Sequence, residues 1–336
     1  MIDPIPRRMP YIRHICIITV VVLVSVLLSS CHPPEISPWT ERTFFSMNTF
    51  LSIKLPSNEY SDHHINNIME MVQDIDKKMN VYTIGSDLYR IKQNAGYVPI
   101  CVDDETFFLI EQAYRLCQES DGIFDITMGP LMDLYHFHDP QPSVPSKKKI
   151  QNAIQYVDYR KIVLNTLEKT VYLPKKGMYI DLSGILKGYT LDRIAEYFIL
   201  NNMEYYYVDF GGNLCISTKD PLYVGIENPF SKATEKGIQV QKGFVSTSSS
   251  KHQSFQYDGV TYCHIIHPKT GSAIPEISSA TVVTWSGLES DFLSTYFFLV
   301  GHQPNQCIQN QYVAQSSIYL YLLSREFDIY AKNYSS

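Results

Sequence analysis

The chain reads as α+β, for three reasons. Stretches with helical apolar spacing are set among short strand-like runs, the two kinds neither alternate regularly as in a βαβ protein nor give way to strands alone, and no segment repeats. Hydrophobic residues make up 45% of the 336 and charged residues 18%, which suits one large globular domain or two closely associated lobes and excludes a disordered or fibrous chain. The formal charge is −6; without residues 1–30, which carry Arg7, Arg8, Arg13 and Asp3, the balance is 25 basic to 33 acidic residues. Such a surface repels nucleic acid. The 25 tyrosines fall largely in strand-like runs, where a half-buried ring with a wet hydroxyl fits as architecture.

At the amino terminus, Arg7, Arg8 and Arg13 precede an uncharged run from Ile15 to Leu28, short for a membrane-spanning helix and suited to a secretory signal. The run ends in Leu28-Ser29-Ser30-Cys31, which resembles the lipobox of bacterial lipoproteins, and this implies a leader over 1–30 and a lipidated Cys31. An ordinary signal peptide or an uncleaved anchor with an incidental cysteine is the alternative. Pro33, Pro34 and Pro38 stiffen the tether expected over 31–43. Five cysteines remain after processing, without CxxC or Cys/His metal spacing, and are expected as buried free thiols, with one incidental disulfide as the alternative.

Ile65, Ile68, Met69, Val72, Ile75 and Met79 predict a helix over 61–80, with Asp62 available as a cap. Phe108, Leu109, Ala113, Leu116 and Cys117 predict another over 104–120, ended by Asp121-Gly122. The proline- and charge-rich stretch 136–149 reads as an exposed connection, a candidate boundary between lobes. A short helix is expected over 150–157, strands over 161–164 and 171–173, and a strand over 179–182 entering a glycine-containing turn. A helix over 189–200 and a buried strand over 205–210 follow, the strand ending at Gly211-Gly212. Strands are then expected over 222–226, 237–241, 259–266 and 280–285, and a helix over 289–300.

Within that last helix Asp291 and Thr295 stand four apart, so a carboxylate and a hydroxyl share one face. Such a pair suits a hard cation, although taken alone it more often forms a solvated face or a local hydrogen bond. Asp181-Leu182-Ser183-Gly184-Ile185-Leu186-Lys187-Gly188 offers backbone and an ammonium to a phosphate, and Gly211-Gly212 lets a ring or pyrophosphate approach the chain; a plain turn fits either as well. His264 and His267 fall on opposite faces of the strand expected over 259–266, which excludes chelation by the pair.

In order along the chain, these segments resemble the ApbE family from about Phe45 to Gly301. Ser46-Met47-Asn48-Thr49-Phe50, Met79-Asn80-Val81-Tyr82, Ser86-Asp87-Leu88 and Gly122-Ile123-Phe124-Asp125-Ile126-Thr127 with Gly129-Pro130-Leu131 are similar to family blocks. The most telling are Asp181 to Tyr189 and Ser290-Asp291-Phe292-Leu293-Ser294-Thr295. The resemblance implies an ApbE-like fold with mixed or antiparallel sheets and packed helices over 44–336. It implies Mg2+-dependent transfer of FMN from FAD, as substrate, to a threonine or serine hydroxyl of a protein, with release of AMP. Its acceptors would be subunits of membrane redox complexes such as the sodium-pumping quinone reductase type, and its place the periplasmic side of the inner membrane.

The resemblance further implies Asp291 and Thr295 as metal ligands by side chain, with backbone carbonyls near Leu186 and Ser294. Met47, Tyr82, Asp181, Lys187, Gly211, Gly212, Thr247 and His264 would line the FAD pocket, Asp181 and His264 at the reacting centre. Three departures stand out: Asn48 for the family's glycine, Ser249 to Lys251 for a glycine followed by Asp or Asn, and His267 for an aspartate before Pro268. They leave open an FAD pyrophosphatase or a non-catalytic flavin-binding lipoprotein.

Overall fold

A computed structural model of the chain describes residues 39–137, 141–227, 234–251, 253–273, 277–301, 303–313, 319–324 and 329–333. The leader over 1–30, Cys31 and residues 32–38 of the tether lie outside these. The strands are β1 (Trp39–Ser46), β2 (Thr49–Pro56), β3 (Ile100–Cys101), β4 (Val163–Asn165), β5 (Thr170–Tyr172), β6 (Tyr206–Phe210), β7 (Asn213–Glu227), β8 (Thr234–Ser249), β9 (Ser254–Tyr257), β10 (Val260–Cys263), β11 (Ile277–Thr284), β12 (Tyr319–Ser324) and β13 (Ile329–Asn333). The helices that matter for the site are α1 (Ser61–Met79), α2 (Asp87–Asn94), α3 (Asp104–Glu119), α4 (Gly129–Tyr135), α5 (Lys147–Ile154), α6 (Ser183–Leu200) and α7 (Gly287–Val300).

An eight-stranded sheet runs in the order β1-β2-β6-β7-β8-β11-β12-β13, beside a three-stranded sheet β3-β5-β4 and a β9–β10 hairpin. The registered pairs are antiparallel. Alternation sorts the large sheet into two faces. Tyr206, Val208 and Phe210 of β6 pack with Leu51, Ile53 and Leu55 of β2 against α1 and α6, whereas Tyr207 and Asp209 point the other way. Leu51, Ile53 and Leu55 are fully buried, each contributing about 1.5–3 kcal/mol over an exposed position. A slip of one residue would turn all three to water, so the register is firmly set. A second core joins α3, the start of α6 and α7 to Ala280 and Val282 of β11. A smaller cluster of Tyr135, Ile266 and Ala273, with Ile150 against it, lies beside the connection expected over 136–149.

Several elements differ from expectation. β1 begins at Trp39, inside the segment read as tether, because an adjacent strand supplies its hydrogen bonds. Asp62 does not cap α1; it sits in the first turn and pairs with Arg42 at 2.8 Å. Residues 179–182 form no strand: the Asp181 N–H donates to Ile126 O at 2.8 Å, but no ladder follows. Helix α6 starts at Ser183, six residues before expectation, and contains both glycines that had read as a turn. They are there for packing, since a Cβ on Gly184 would meet the Phe124 ring at 3.0 Å and one on Gly188 would meet Gly287 O at 2.1 Å. β10 ends at Cys263, so His264 and His267 lie beyond the strand and the opposite-face assignment does not apply to them. The Asp258-Gly259 turn does join β9 to β10, with both residues at positive φ (50° and 74°).

Candidate functional site

The site is built where α6 and α7 cross. Asp192 of α6 caps α7: its carboxylate accepts from the Ser286 hydroxyl at 3.0 Å, Gly287 N–H at 2.6 Å and Leu288 N–H at 2.8 Å. These are orphan donors of a helix start, and a carboxylate there also favours the positive end of the helix dipole. The cap sets the rotation of α7. One turn on, Asp291 meets α6 again and accepts from Gly188 N–H at 2.9 Å. Gly188 and Gly287 touch backbone to backbone at the crossing, which is why neither tolerates a Cβ.

Asp291 is buried, and burial pushes its carboxyl above the ordinary range. The nearby Lys187 ammonium, the Asn213 amide and Gly188 N–H work against that rise. Asn213 is itself buried, with an Nδ2 that closes no full hydrogen bond. Beyond Asp291, the helix-facing serines of β8 meet α7: Ser246 Oγ lies 2.8 Å from Ser290 Oγ, and Ser248 Oγ lies 2.9 Å from Ser294 Oγ and 3.3 Å from Thr295 Oγ1. The Ser294 hydroxyl donates to Asp291 O at 2.9 Å, and the Thr190 hydroxyl to Leu186 O at 2.7 Å. Asp291, Thr295, Leu186 and Ser294 thus present only oxygen donors on two packed helices, a set that fits a hard divalent cation and not a thiophilic one.

The β6–β7 turn is the next piece. Gly211 and Gly212 have φ of 60° and 92°; a Cβ on Gly211 would strike Thr49 Oγ1 at 2.5 Å, and Gly212 N–H donates to Asp209 Oδ1 at 2.9 Å. Asn213 then faces Asp291 in the interior, while Gly212 faces a cleft of about 430 Å³ on the outer side of the sheet. Thr247 lines this cleft, its hydroxyl 2.9 Å from Thr281 Oγ1. It therefore sits on the opposite face of β8 from Ser246 and Ser248, away from the α7 hydroxyls.

Met47 and Asn48 form the two-residue turn between β1 and β2, with φ of 47° and 61°. Both central residues of such a turn need positive φ, and asparagine tolerates that better than any other side-chain-bearing residue. Asn48 meets the same backbone demand as a glycine. Asn48→Gly is expected to leave the melting temperature close to wild type. Asn48→Val, β-branched in the left-handed region, is expected to cost about 1–2 kcal/mol in thermal denaturation. Met47 reaches α6, its Sδ 3.9 Å from the Thr190 hydroxyl.

At the start of α6, Asp181 Oδ1 accepts from Ser183 N–H at 2.8 Å. Tyr82 is near enough to Asp181 that the carboxylate, behind burial and Asp133 as causes, helps to push its phenol above the ordinary value. The Gly122 to Leu131 block is pinned by Asp125, which accepts from Thr127 N–H at 2.8 Å, the Thr127 hydroxyl at 2.6 Å and Tyr159 N–H at 3.0 Å. His264 follows β10, its N–H donating to Gln253 O at 3.1 Å. At His267, Nδ1 accepts from Lys269 N–H at 3.3 Å, and the carbonyl from Gly271 N–H at 2.7 Å. The ring thus caps the turn two residues on, as an aspartate would. Ser249 does the same for Lys251 N–H at 3.2 Å, and Lys251 forms an ion pair with Glu227 across the β7–β8 hairpin.

Sequence reasoning missed Asp192, Asn213, Ser246 and Ser248. Asn213 directly follows the double glycine, and the serines alternate along a strand; those were the available signals.

The sequence profile described as the ApbE family matches residues 47–316. The FAD:protein FMN transferase of Vibrio cholerae is 28% identical over 298 residues, covering 84% of this chain and 87% of the relative. That of Haemophilus influenzae is 30% identical over 247 residues, 70% of this chain and 71% of the relative. The crystal structure of the ApbE protein from Thermotoga maritima superposes with a TM-score of 0.80 at 27% identity, over 88% of this chain and 97% of that one. The flavin transferase ApbE from Vibrio cholerae shares the fold, with a TM-score of 0.75 at 24% identity over 88% and 97%. With the profile spanning the β1–β2 turn, the α6–α7 crossing and the double-glycine turn together, the chain belongs to the ApbE family.

Proposed function

We propose that this chain, a transferase like its curated relatives, moves FMN from FAD to a threonine or serine hydroxyl of an acceptor protein and releases AMP, in a Mg2+-dependent reaction. The observation that carries the proposal is the all-oxygen donor set on α6 and α7, anchored by the buried Asp291. Asp291 and Thr295, with the carbonyls of Leu186 and Ser294, would hold the ion. When bound, Mg2+ neutralises charge on the pyrophosphate as the bond to AMP breaks.

The chain's own residues account for the remaining work. Lys187 supplies a compact positive charge beside Asp291. Gly212, open on its Cα, lets a pyrophosphate or a flat ring lie against backbone. The acceptor hydroxyl attacks the FMN-side phosphorus, an O–P bond forms, the bond to the AMP oxygen breaks, and the hydroxyl proton passes to a base. His264 is the candidate, since an imidazole titrates near neutral pH. Export and lipidation at Cys31 belong to the same proposal and rest on the arginines, the uncharged run and the Leu28-Ser29-Ser30-Cys31 segment. They would place the enzyme at a periplasmic membrane surface, within reach of membrane redox subunits.

The test is incubation of the full chain with FAD, Mg2+ and a co-expressed candidate acceptor, followed by mass spectrometry. The expected result is an acceptor heavier by one FMN, AMP released in step with it, and both lost on chelation. AMP released equally without acceptor would identify a pyrophosphatase instead. Tight FAD binding with no AMP release would identify a binder.

A further inference from the structure

Tyr82 is more than half exposed, in the loop after α1 where its N–H donates to Asn80 Oδ1 at 3.0 Å. An aromatic ring on an open turn is a poor platform unless something fixes it, because ordering it costs conformational entropy. Lys92, in the last turn of α2, is placed to do so. Its ammonium lies 3.7 Å from the centroid of the Tyr179 ring, 5.2 Å from that of Tyr82 and 3.9 Å from Asp133 Oδ2. Asp133 Oδ1 in turn accepts from the Tyr82 hydroxyl at 3.1 Å.

The floor of this cluster is rigid. Tyr179 is buried two residues before Asp181, its ring pressed on Gly129, where a Cβ would fall 1.9 Å from it. A surface lysine ordinarily extends its ammonium to water. Here the side chain is only 26% exposed and its charge faces two rings and a carboxylate. An ion pair this long and exposed contributes little by itself, so the ring contacts carry the placement.

We infer that Lys92, together with Asp133, is a positioning residue of the flavin site, holding the Tyr82 ring in place so that it presents a fixed surface to an aromatic ring of FAD. This rests on the proposed function and on Tyr82 lining the FAD pocket. Lys92 touches no reacting atom in this scheme; it acts through Tyr82.

The test uses the full chain and three variants, Lys92→Met, Lys92→Arg and Tyr82→Ala, with FAD affinity, the KM and kcat of transfer, and the quenching of flavin fluorescence on binding. Lys92→Met keeps the stem and removes the charge. It is expected to weaken FAD binding about tenfold, within the range of a partly desolvated cation–π contact, to raise KM in step with a smaller effect on kcat, and to reduce the quenching. Lys92→Arg is expected to restore all three, because a guanidinium also stacks on aromatic faces. If Lys92→Met leaves affinity and quenching unchanged while Tyr82→Ala weakens both, or if kcat falls with KM unchanged, the inference is overturned. If Tyr82→Ala also binds FAD normally, Tyr82 does not line the flavin pocket and the inference falls with that assignment. The function itself stands or falls separately, on FMN attachment by the wild-type chain.

Discussion

Asp291→Asn is expected to abolish FMN attachment while leaving the fold intact. The substitution is nearly isosteric and keeps a carbonyl oxygen for Gly188 N–H, now 2.9 Å from the carboxylate, so that donor keeps its partner. What it removes is a negative charge that burial already disfavours. Thermal stability without metal should therefore hold or rise. Loss of the charge that anchors the oxygen-donor set should cost at least about a thousandfold in transfer, the scale seen when a preorganised electrostatic partner is deleted. It should also cancel any rise in melting temperature that Mg2+ gives the wild type. Asp291→Ala should be equally inactive, with a lower melting temperature because Gly188 N–H loses its partner. Full transfer by either variant, with no metal requirement, would sink the assignment.

Gly188→Ala is expected to destabilise the protein, against the sign that helix propensity alone gives. In an exposed helix interior the change would gain about 1 kcal/mol. Here the new Cβ would stand 2.1 Å from Gly287 O and 2.6 Å from Asp291 Cβ, and the first of these is backbone that cannot rotate away. The helices would have to separate, at a cost of about 3 kcal/mol or more. For a domain of this size that lowers the melting temperature by about 5 °C or more. Separation would also draw Asp291 from Gly188 N–H and Thr295 from Ser248, so transfer should fall with stability. Thermal denaturation decides the matter: an unchanged or raised melting temperature would show that the α6–α7 crossing is looser than the glycine contacts require.

The three departures from the family pattern read differently once placed. Asn48 occupies a left-handed turn position that asparagine tolerates. His267 uses its ring nitrogen to cap the turn at Lys269. Neither substitution costs the backbone its turn conformation. Ser249 to Lys251 is tied down by a side-chain cap and an ion pair.

Helices α1 and α3 were legible almost to their ends, because each buries an apolar stripe that periodicity reveals, although Phe108, expected on the buried face of α3, is exposed and Phe107 is buried instead. That Asp291 and Thr295 share a face of α7 was legible for a related reason: four-residue spacing on one helix is a local property. Helix α6 was not, because its glycines read as turn residues when judged by propensity. Only the presence of Gly287 and Phe124 on the facing surfaces shows that they are needed to let helices approach. The same limit hid Asp192, which serves a helix 95 residues away, and Asn213, which lies beside Asp291 of α7. By itself, then, the sequence determined the helices with a clear apolar stripe, the family motifs and the chemistry of the donors, which depend on residue type and short-range spacing. Tertiary structure decided which donors meet, which side of β8 faces the α7 hydroxyls and what holds Tyr82, because those depend on contacts between segments far apart along the chain.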